Sequence, residues 1–259
     1  MGISIRNAEH YSWGNNCDGW YFLKSPTLTV IRERMPSGTS EQFHCHEKSQ
    51  QLFFVLTGTA TFDVDGREER ISANESLHVR PKVLHRVSNL EKDDLTFVAI
   101  SEPEPHEDRI EIIDYSPEYK EHIKALNVEW LQQYFTIEPP DIVQLNDPQR
   151  EIIDKGGKIF YARWNGKIVG TVALLKHGHG VFEIGKMAVT EKARGHGLGT
   201  VLLQHCLNVA RRSSIQKLVL YSSTRLEAAM HLYRKFGFTE IELEKGRYQR
   251  ADVKMEKIV

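Results

Sequence analysis

A glycine-rich segment between a strand pattern and a helix pattern is the feature that most restricts how this chain can fold. Residues 194–199 (RGHGLG) follow the apolar run 184–189 and precede 201–203, where a helical pattern begins. Glycines have no side chain to cover the neighbouring backbone N–H groups, which stay accessible to a ligand. The first turn of a helix adds unpaired N–H groups and partial positive charge. The segment therefore predicts an anion cradle, most often one for phosphate.

The nucleotide-binding forms of such a cradle do not match. No Lys-Ser/Thr pair follows the last glycine, as a P-loop requires, and the glycines at 195, 197 and 199 are not spaced as G-x-G-x-x-G. Taken alone, the segment leaves an ordinary tight connection open as the alternative.

Composition excludes several classes of protein. The 259 residues allow one large or two ordinary domains, and 34 basic against 35 acidic residues give a net charge of −1, so no nucleic-acid partner is expected. The apolar runs are too short to cross a bilayer, and residues 1–6 lack an apolar signal region. Three widely spaced cysteines favour free thiols in a cytoplasmic protein.

The pattern of the chain changes near residue 103. Before it, short strand patterns separated by turn residues predict an all-β sandwich or barrel over 1–103. Residues 101–108 (SEPEPHED) are acidic and carry two prolines, so the linker is placed at 104–109. The predicted strands of this half are 27–34, 51–56, 59–64, 76–80, 85–88 and 95–100.

Beyond the linker, strand and helix patterns alternate and predict a second, α/β domain over 110–259. Predicted strands are 110–113, 158–163, 167–175, 181–189 and 217–221, with two closing strands within 238–259. Predicted helices are 118–135, 199–212 and 226–236.

Three motifs of this second half resemble the GNAT superfamily of acetyltransferases. Arg194, Gly197 and Gly199 fill its Arg/Gln-x-x-Gly-x-Gly/Ala signature. Residues 226–238 (LEAAMHLYRKFGF) contain its A-x-x-L-Y-x-K-x-G-F form, and 183–189 (EIGKMAV) is similar to its central strand. The resemblance covers residues from about 110 to the end and implies the α/β (α+β) acyltransferase fold of that family.

The resemblance implies acetyl-CoA as the acetyl donor. The glycine-rich turn would hold the pyrophosphate, and the strand would pair with the pantetheine arm through its backbone. Ser223 stands where many relatives have Asn, so its contact would be shorter. The implied donor-binding residues are Met187, Ala188, Val189, Arg194, Gly195, His196, Gly197, Leu198, Gly199, Thr200 and Ser223.

The same resemblance implies two catalytic residues and an acceptor. Glu183 would deprotonate a small amine through water, and Tyr233 would give a proton to the leaving thiolate. The alternatives are a solvent-facing strand residue for Glu183 and a core aromatic for Tyr233. The aromatic residues near 130–135 and the segment 248–252 would line the acceptor pocket. There Arg250 would pair with a carboxylate or stay a solvated charge.

Histidines in the first half indicate a metal site. His44 and His46 share one face of a strand because side chains alternate, whereas Cys45 points away from them. His85 follows at the start of a later strand and completes a plausible facial triad.

These histidines lie in motifs that resemble the cupin superfamily, which implies a jelly-roll-like barrel. Gly38, His44, His46, Gln51 and Gly58 fit its first motif, although Gln51 replaces the usual glutamate. His85 and Asn89 fit the second motif, and the resemblance covers about residues 25–100. Arg32, Arg34, Phe53 and Phe62 are predicted to line the interior.

The implied ligands of a divalent transition metal are His44, His46, Gln51 and His85. An amide oxygen is neutral, so this site would bind a divalent metal less tightly than a carboxylate-containing one, or prefer a different metal. The alternative is a histidine-lined pocket for a sugar or another small metabolite, without metal.

The resulting hypothesis is an N-acetyltransferase for a small amine, fused to a cupin domain that binds a metal or a small metabolite. One alternative is a binding module whose GNAT domain has lost catalysis. Another is a metal-dependent cupin oxygenase or isomerase. A homodimer is expected by analogy with both families.

Overall fold

The computed structural model describes residues 2–105, 108–244 and 248–259. The chain divides into two compact units, of which the first ends at Glu111 and the second begins at Ile112. Within the described part of the chain, no helix is long and apolar enough to cross a membrane.

The first unit is built from strands, as predicted. One sheet has the order β1-β2-β3-β10-β5-β8, and another contains β4-β9-β6-β7 as hydrogen-bonded neighbours. The strands are β1 (Glu9–Trp13), β2 (Cys17–Lys24), β3 (Thr29–Met35), β4 (Phe43–His46), β5 (Gln50–Thr57), β6 (Thr59–Val64), β7 (Arg67–Ser72), β8 (Ser76–Val79), β9 (His85–Ser88) and β10 (Leu95–Glu102).

Alternating side chains of these strands form the core of the first unit. Phe53 and Phe62 pack with ring centroids 5.0 Å apart, and Phe97 lies 5.9 Å from Phe53. All three are buried, which confirms the predicted interior position of Phe53 and Phe62.

The predicted interior position of Arg34, and with it that of Arg32, is wrong. The buried residues of β3 are Ile31, Glu33 and Met35, together with Thr29, whereas Arg32 and Arg34 lie on the opposite face of the strand. Arg34 instead forms ion pairs with Asp18 at 2.8 Å and with Asp94 at 2.7 Å. The interior of the first unit therefore receives an acidic side chain where basic ones were expected.

In the second unit, strands and helices alternate. The strands are β11 (Arg109–Asp114, which includes the boundary between the units), β12 (Lys158–Trp164), β13 (Lys167–Gly178), β14 (Val181–Val189), β15 (Lys217–Ser222), β16 (Thr239–Ile241) and β17 (Val253–Ile258). The helices are α1 (Lys120–Tyr134), α2 (Pro139–Asn146), α3 (Leu198–Arg211) and α4 (Glu227–Lys235). Short helical turns cover Pro117–Tyr119, Gln149–Ile153 and Glu191–Ala193.

The sheet of the second unit has the order β16-β17-β15-β14-β13-β12, in which only the β14–β15 pair among those described is parallel. Successive strand residues point to opposite faces of this sheet, so both faces carry apolar side chains, and helices cover both. Tyr161 belongs to the buried cluster that includes Ile123 of α1. The preceding residue, Phe160, packs instead against His205 of α3, with ring centroids 4.5 Å apart.

Candidate functional site

A cavity of about 800 Å³ opens in the second unit where two parallel strands separate. The pairing of β14 with β15 ends at Ile184 and Leu220, while β14 continues to Val189. The backbone of β14 from Gly185 to Val189 therefore lines the cavity along the edge that β15 has left. A free strand edge can accept an extended chain as an additional strand.

The glycine-rich turn closes one end of this cavity. Gly195 and Gly197 have φ values of +86° and +78°, and a Cβ atom at either position would meet no atom within 4 Å. Glycine is therefore required by the left-handed backbone and not by lack of space. Helix α3 begins at Leu198, so the N–H groups of its first turn lie at the cavity, as an anion site requires.

Arg194 joins the turn to two other elements. Its Nε donates to the carbonyl oxygen of Val189 at 3.2 Å, and its Nη1 donates to Gln133 Oε1 at 2.9 Å and to the Tyr134 hydroxyl at 3.1 Å. Nη2 is buried and has no hydrogen-bond partner among the described residues. This nitrogen is the donor of Arg194 that the described residues leave unused.

The structure brings almost all predicted donor-binding residues to this one cavity. His196 is the exception among them, because it does not line the cavity and its ring packs 4.5 Å from that of Trp164. The predicted residues that line the cavity are Met187, Ala188, Val189, Arg194, Gly195, Gly197, Leu198, Gly199, Thr200 and Ser223.

The two predicted catalytic residues line the same cavity. Burial raises the pKa of Tyr233 to about 12, so its hydroxyl is protonated at neutral pH. Glu183 has a side chain only 3% exposed and is not solvent-facing. Its Oε2 lies 2.8 Å from His177 Nε2, and its Oε1 accepts from the Tyr248 hydroxyl at 3.1 Å.

A buried charge cluster lies on the same side of the cavity as Glu183. Asp141 accepts from Lys186 Nζ at 2.8 Å and from both terminal nitrogens of Arg250, at 2.6 and 3.0 Å. Although burial disfavours its charged form, these two cations hold the pKa of Asp141 below its usual range. Arg250 therefore pairs with a carboxylate of the protein itself, and the alternative of a solvated charge is wrong.

Three buried histidines form a cluster in the first unit. His44 on β4 and His85 on β9 are direct partners in the strand register, and His46 follows two residues later on β4. One ring nitrogen from each lies within 4.8 Å of the others. Burial lowers the pKa of His44 well below its usual range and that of His85 to about 3, so both are neutral, as metal ligands must be.

The hydrogen bonds of these histidines fix which nitrogen is available. Nδ1 of His44 lies 3.0 Å from the Gln42 carbonyl oxygen, and Nδ1 of His85 lies 2.9 Å from that of Val83. Carbonyls only accept, so in a neutral ring each Nδ1 carries the proton and each Nε2 carries a lone pair. Nε2 of His46 is buried without a hydrogen-bond partner among the described residues.

Gln51 adds an oxygen to the cluster. Its Oε1 lies 2.9 Å from His85 Nε2, and its Nε2 donates to the Ser101 hydroxyl at 3.1 Å. The lone pairs of His85 Nε2 and Gln51 Oε1 therefore face each other at 2.9 Å. A cation between them removes the repulsion, and so does a 180° rotation of the amide. The donor set of three imidazoles and one amide oxygen fits a divalent transition metal.

The predicted linker contributes to the histidine cluster. Asp108 accepts from His46 Nδ1 at 3.0 Å and from the backbone N–H groups of Lys48 and Ser49 at 2.7 and 2.9 Å. The carbonyl oxygen of Pro105 also lies 3.1 Å from His46 Nδ1. These contacts orient the ring in the way that carboxylates orient metal-binding histidines. Residues 106 and 107 of the predicted linker lie outside the described residues.

Comparison with known proteins agrees with this geometry. The family model for the acetyltransferase (GNAT) family matches residues 120–238, and the model for the cupin domain matches residues 31–101. The chain joins a cupin domain to a GNAT acetyltransferase domain. Both domains predicted from the sequence motifs, and their order, are thereby confirmed, while the boundaries at 103 and 110 stay predictions.

Similar proteins match the two domains separately. The N-alpha-acetyltransferase 50 of Danio rerio is 28% identical over 152 residues, which are 56% of this chain and 83% of that protein. The oxalate-binding protein of Thermotoga maritima is 28% identical over 69 residues, 27% of this chain and only 57% of that protein. A GNAT-family acetyltransferase structure from Staphylococcus aureus Mu50 has a TM-score of 0.53 at 22% identity, covering 57% of this chain and 98% of that one, and supports the fold.

Sequence reasoning missed several residues of both domains. His177, Asp141 and Lys186 in the GNAT domain and Asp108 in the cupin domain were not predicted. Lys186 had a visible signal, because a lysine inside the apolar run of a central strand must find a buried partner. Asp141 and Asp108 reach their partners only through tertiary pairing, whereas His177 lies six residues before Glu183 in the paired strands β13 and β14.

Proposed function

We propose that the GNAT domain transfers an acetyl group from acetyl-CoA to a primary amine. The observation that carries this proposal is the convergence of three features on one cavity. They are the open edge of β14, the turn before α3, and the side chains of Tyr233 and Glu183. The turn and the N-terminus of α3 suit the pyrophosphate, and the strand edge suits the pantetheine amides.

In this proposal, acetyl-CoA supplies the activated acyl group and the chain positions the reacting partners. Backbone N–H groups beside the strand edge face the developing oxyanion. Glu183 takes a proton from the acceptor nitrogen, and Tyr233 protonates the leaving thiolate. Tyr233 suits this role because its side chain lines the cavity and a tyrosine hydroxyl is protonated at neutral pH.

The first experiment measures acetyl-CoA binding by calorimetry and acetyl transfer over a panel of amines. The panel includes a peptide with a free α-amino group, since the name of the Danio rerio relative indicates that kind of acceptor. Tyr233→Phe should bind acetyl-CoA normally but react about 100-fold more slowly. Tyr115→Phe is the matched control, because Tyr115 does not line the cavity.

Two results would contradict this proposal. Absence of acetyl-CoA binding by the wild-type chain would refute the donor site. Binding without transfer to any amine would favour the alternative of a binding module with an inactive GNAT domain.

We further propose that the cupin domain holds a divalent transition metal through His44, His46, His85 and Gln51. Support comes from the lone pairs of the three imidazoles and the amide oxygen, which face one another in a buried cluster. A bound metal would supply a Lewis-acid centre for a small oxygen-containing ligand.

Elemental analysis of protein purified without chelator tests this proposal. The wild type should carry stoichiometric metal, and His44→Gln should lose it, whereas His78→Gln at an exposed position should not. Gln51→Glu should bind metal more tightly because it adds a negative charge to the site. Oxalate, which the name of the Thermotoga maritima relative mentions, serves as the first ligand probe. No metal uptake by the wild type would favour a metal-free, histidine-lined pocket.

A further inference from the structure

Helix α1 places a buried polar side chain, Asn127, against the GNAT cavity, and the proposed reaction does not use it. Asn127 is only 3% exposed, yet it lines the cavity beside the open edge of β14. Its Nδ2 donates to the carbonyl oxygens of Ile123, at 2.8 Å, and of Lys186, at 3.3 Å. A buried amide needs partners at both ends, because an unsatisfied polar atom away from water costs free energy.

These two hydrogen bonds fix which end of the Asn127 amide carries the nitrogen. Carbonyl oxygens only accept, so the amide atom between them is the nitrogen, and both of its hydrogens are used. The described residues provide no hydrogen-bond partner for the amide oxygen, Oδ1. Oδ1 is therefore an acceptor, on a side chain already held in place, for an N–H or O–H group of a molecule in the cavity.

A bulge in β14 explains why a side chain of α1 can reach this strand. Thr171 pairs with Ala188 and Ala173 pairs with Gly185, so two residues of β14 face the single residue between Thr171 and Ala173. The first of the two, Lys186, has a φ of +51°. The bulge thus turns the Lys186 carbonyl out of the regular ladder, where it accepts from α1.

Asn127 lies along β14 between the proposed base and the proposed phosphate site. Its partner Lys186 follows Glu183 on the strand, and Glu129, further along α1, accepts from the backbone N–H of Glu191 at 2.9 Å. Helix α1 therefore follows the strand toward the turn at 194–199. In the proposed reaction the thioester and the amine meet between Glu183 and that turn, so Asn127 lies at the level of the reacting groups.

We propose that Asn127 Oδ1 accepts a hydrogen bond from the acceptor nitrogen and thereby selects primary amines. The inference rests on the proposed acetyl transfer and adds the residue that recognises the nitrogen. Pantetheine also has N–H groups, but in the proposed complex its amides pair with the backbone at the strand edge. The N–H donor left for Oδ1 is then that of the amine.

The hydrogen that Asn127 binds is the one that stays on the nitrogen. A neutral primary amine has two N–H groups. Its lone pair forms the C–N bond, the thioester C–S bond breaks, one N–H proton goes to the base, and the thiolate takes up one proton. The amide product keeps the other N–H. A secondary amine or an alcohol keeps no hydrogen after transfer, so neither can satisfy Oδ1 throughout the reaction.

The test compares each primary amine that reacts with its own N-methyl derivative, beginning with butylamine and N-methylbutylamine. The wild type should prefer the primary amine, as measured by kcat/KM. Asn127→Leu should reduce this preference about 5- to 10-fold, because only the primary amine loses a hydrogen bond. Any structural effect of the substitution acts on both amines and cancels in the ratio. The Kd of acetyl-CoA, measured by calorimetry, should stay at the wild-type value.

A second variant and a matched control make the test independent of folding. Asn127→Ser can still donate to the Ile123 carbonyl, as serines within helices do, but its shorter side chain withdraws the acceptor oxygen from the cavity. It should show the same loss of preference as Asn127→Leu. Asn146→Leu removes an exposed asparagine of α2 that does not line the cavity, and it should keep the wild-type preference.

Three results would overturn the inference while acetyl transfer persists. They are a wild type without preference for the primary amine, an unchanged preference in both Asn127 variants, and a weaker Kd for acetyl-CoA with an unchanged preference. The last would mean that Oδ1 binds an N–H group of pantetheine. If the wild type binds no acetyl-CoA, or acetylates no amine, the proposed function fails and the inference fails with it.

Discussion

Buried carboxyl groups show how differently the two domains balance charge at single residues. In the GNAT domain, Asp141 is ionised and held by two cations. In the cupin domain, burial and the nearby Glu41 carboxyl raise the pKa of Glu33 to about 8, and the Tyr11 hydroxyl donates to it at 3.1 Å. Glu33 is therefore kept protonated at neutral pH, which makes it a hydrogen-bonding group and not a charge.

The raised pKa of Glu33 predicts a stability that falls with rising pH. In the unfolded chain this carboxyl ionises near its ordinary value of 4.5, whereas in the folded chain it stays protonated up to about 8. The protonated Glu33 therefore contributes fully to the free energy of unfolding below pH 4.5. That contribution is lost as the pH rises through 8, by up to about 1.4 kcal/mol per pH unit. Glu33→Gln removes this dependence.

Calorimetric unfolding of the wild type and Glu33→Gln at pH 5, 7 and 9 checks this prediction. The difference in stability should shift in favour of the variant as the pH rises. Glu68→Gln, at an exposed position of β7, is the control and should follow the wild type. A stability difference that is the same at all three pH values would show that Glu33 is ionised in the folded protein.

Two glycines that precede secondary-structure elements are required for different reasons, one for its backbone angle and the other for lack of space. Gly197, before α3, needs its positive φ, while a Cβ there would meet nothing within 4 Å. Gly157, before β12, has no such φ, but its Cβ would lie 2.6 Å from the Leu174 carbonyl oxygen and 2.8 Å from that of Ile152. Alanine at position 197 would therefore strain the backbone, and alanine at position 157 would overlap it.

We expect Gly197→Ala to lower stability by about 1 kcal/mol and to weaken acetyl-CoA binding, because its methyl group enters the proposed phosphate cradle. Gly157→Ala should cost more, about 1–3 kcal/mol, and leave acetyl-CoA affinity unchanged in the folded fraction. Thermal unfolding and calorimetric titration of both variants measure these effects. The opposite order of stabilities would refute the steric argument.

Helices and strands whose apolar residues repeat with a clear spacing could be predicted from the sequence, and those with weak apolar spacing could not. Strand β14 and helices α3 and α4 were predicted within a few residues because apolar spacing and glycines mark them. Helix α2 was missed because it is short and opens with Pro139 and Pro140, which read locally as a break. Strand β1 was missed too, since it is mostly exposed and has little apolar alternation. Strand β2 was also missed, although its buried residues alternate.

The same limit applies to the two sites. The residues predicted for them lie in contiguous motifs whose spacing is visible in the chain. Asp108 is 62 residues from His46, and Asp141 is 45 residues from Lys186, so no local pattern connects either pair. Local motifs in the sequence therefore identify the candidate reacting and binding groups, and tertiary packing decides which groups orient and neutralise them.

On the scale of the whole molecule, each domain has a hydrophobic core of its own. The cupin core includes Phe53, Phe62 and Phe97, and the GNAT core includes Ile123 and Tyr161. Each domain also has a separate proposed ligand site. A ligand that binds only the folded form of one domain stabilises that domain, by about 2.7 kcal/mol at 100 times its Kd. The expected homodimer stays a prediction and would make both unfolding temperatures depend on concentration.

Scanning calorimetry of the full chain should therefore show two unfolding transitions with different ligand responses. Addition of a divalent transition metal should raise one transition, and acetyl-CoA should raise the other. The paired variants assign them, because His44→Gln should abolish only the metal response and Gly197→Glu only the acetyl-CoA response. A single transition that both ligands raise would contradict independent domains. It would mean that unfolding couples the cupin domain to the GNAT domain, so that occupancy of one site changes the population able to bind at the other.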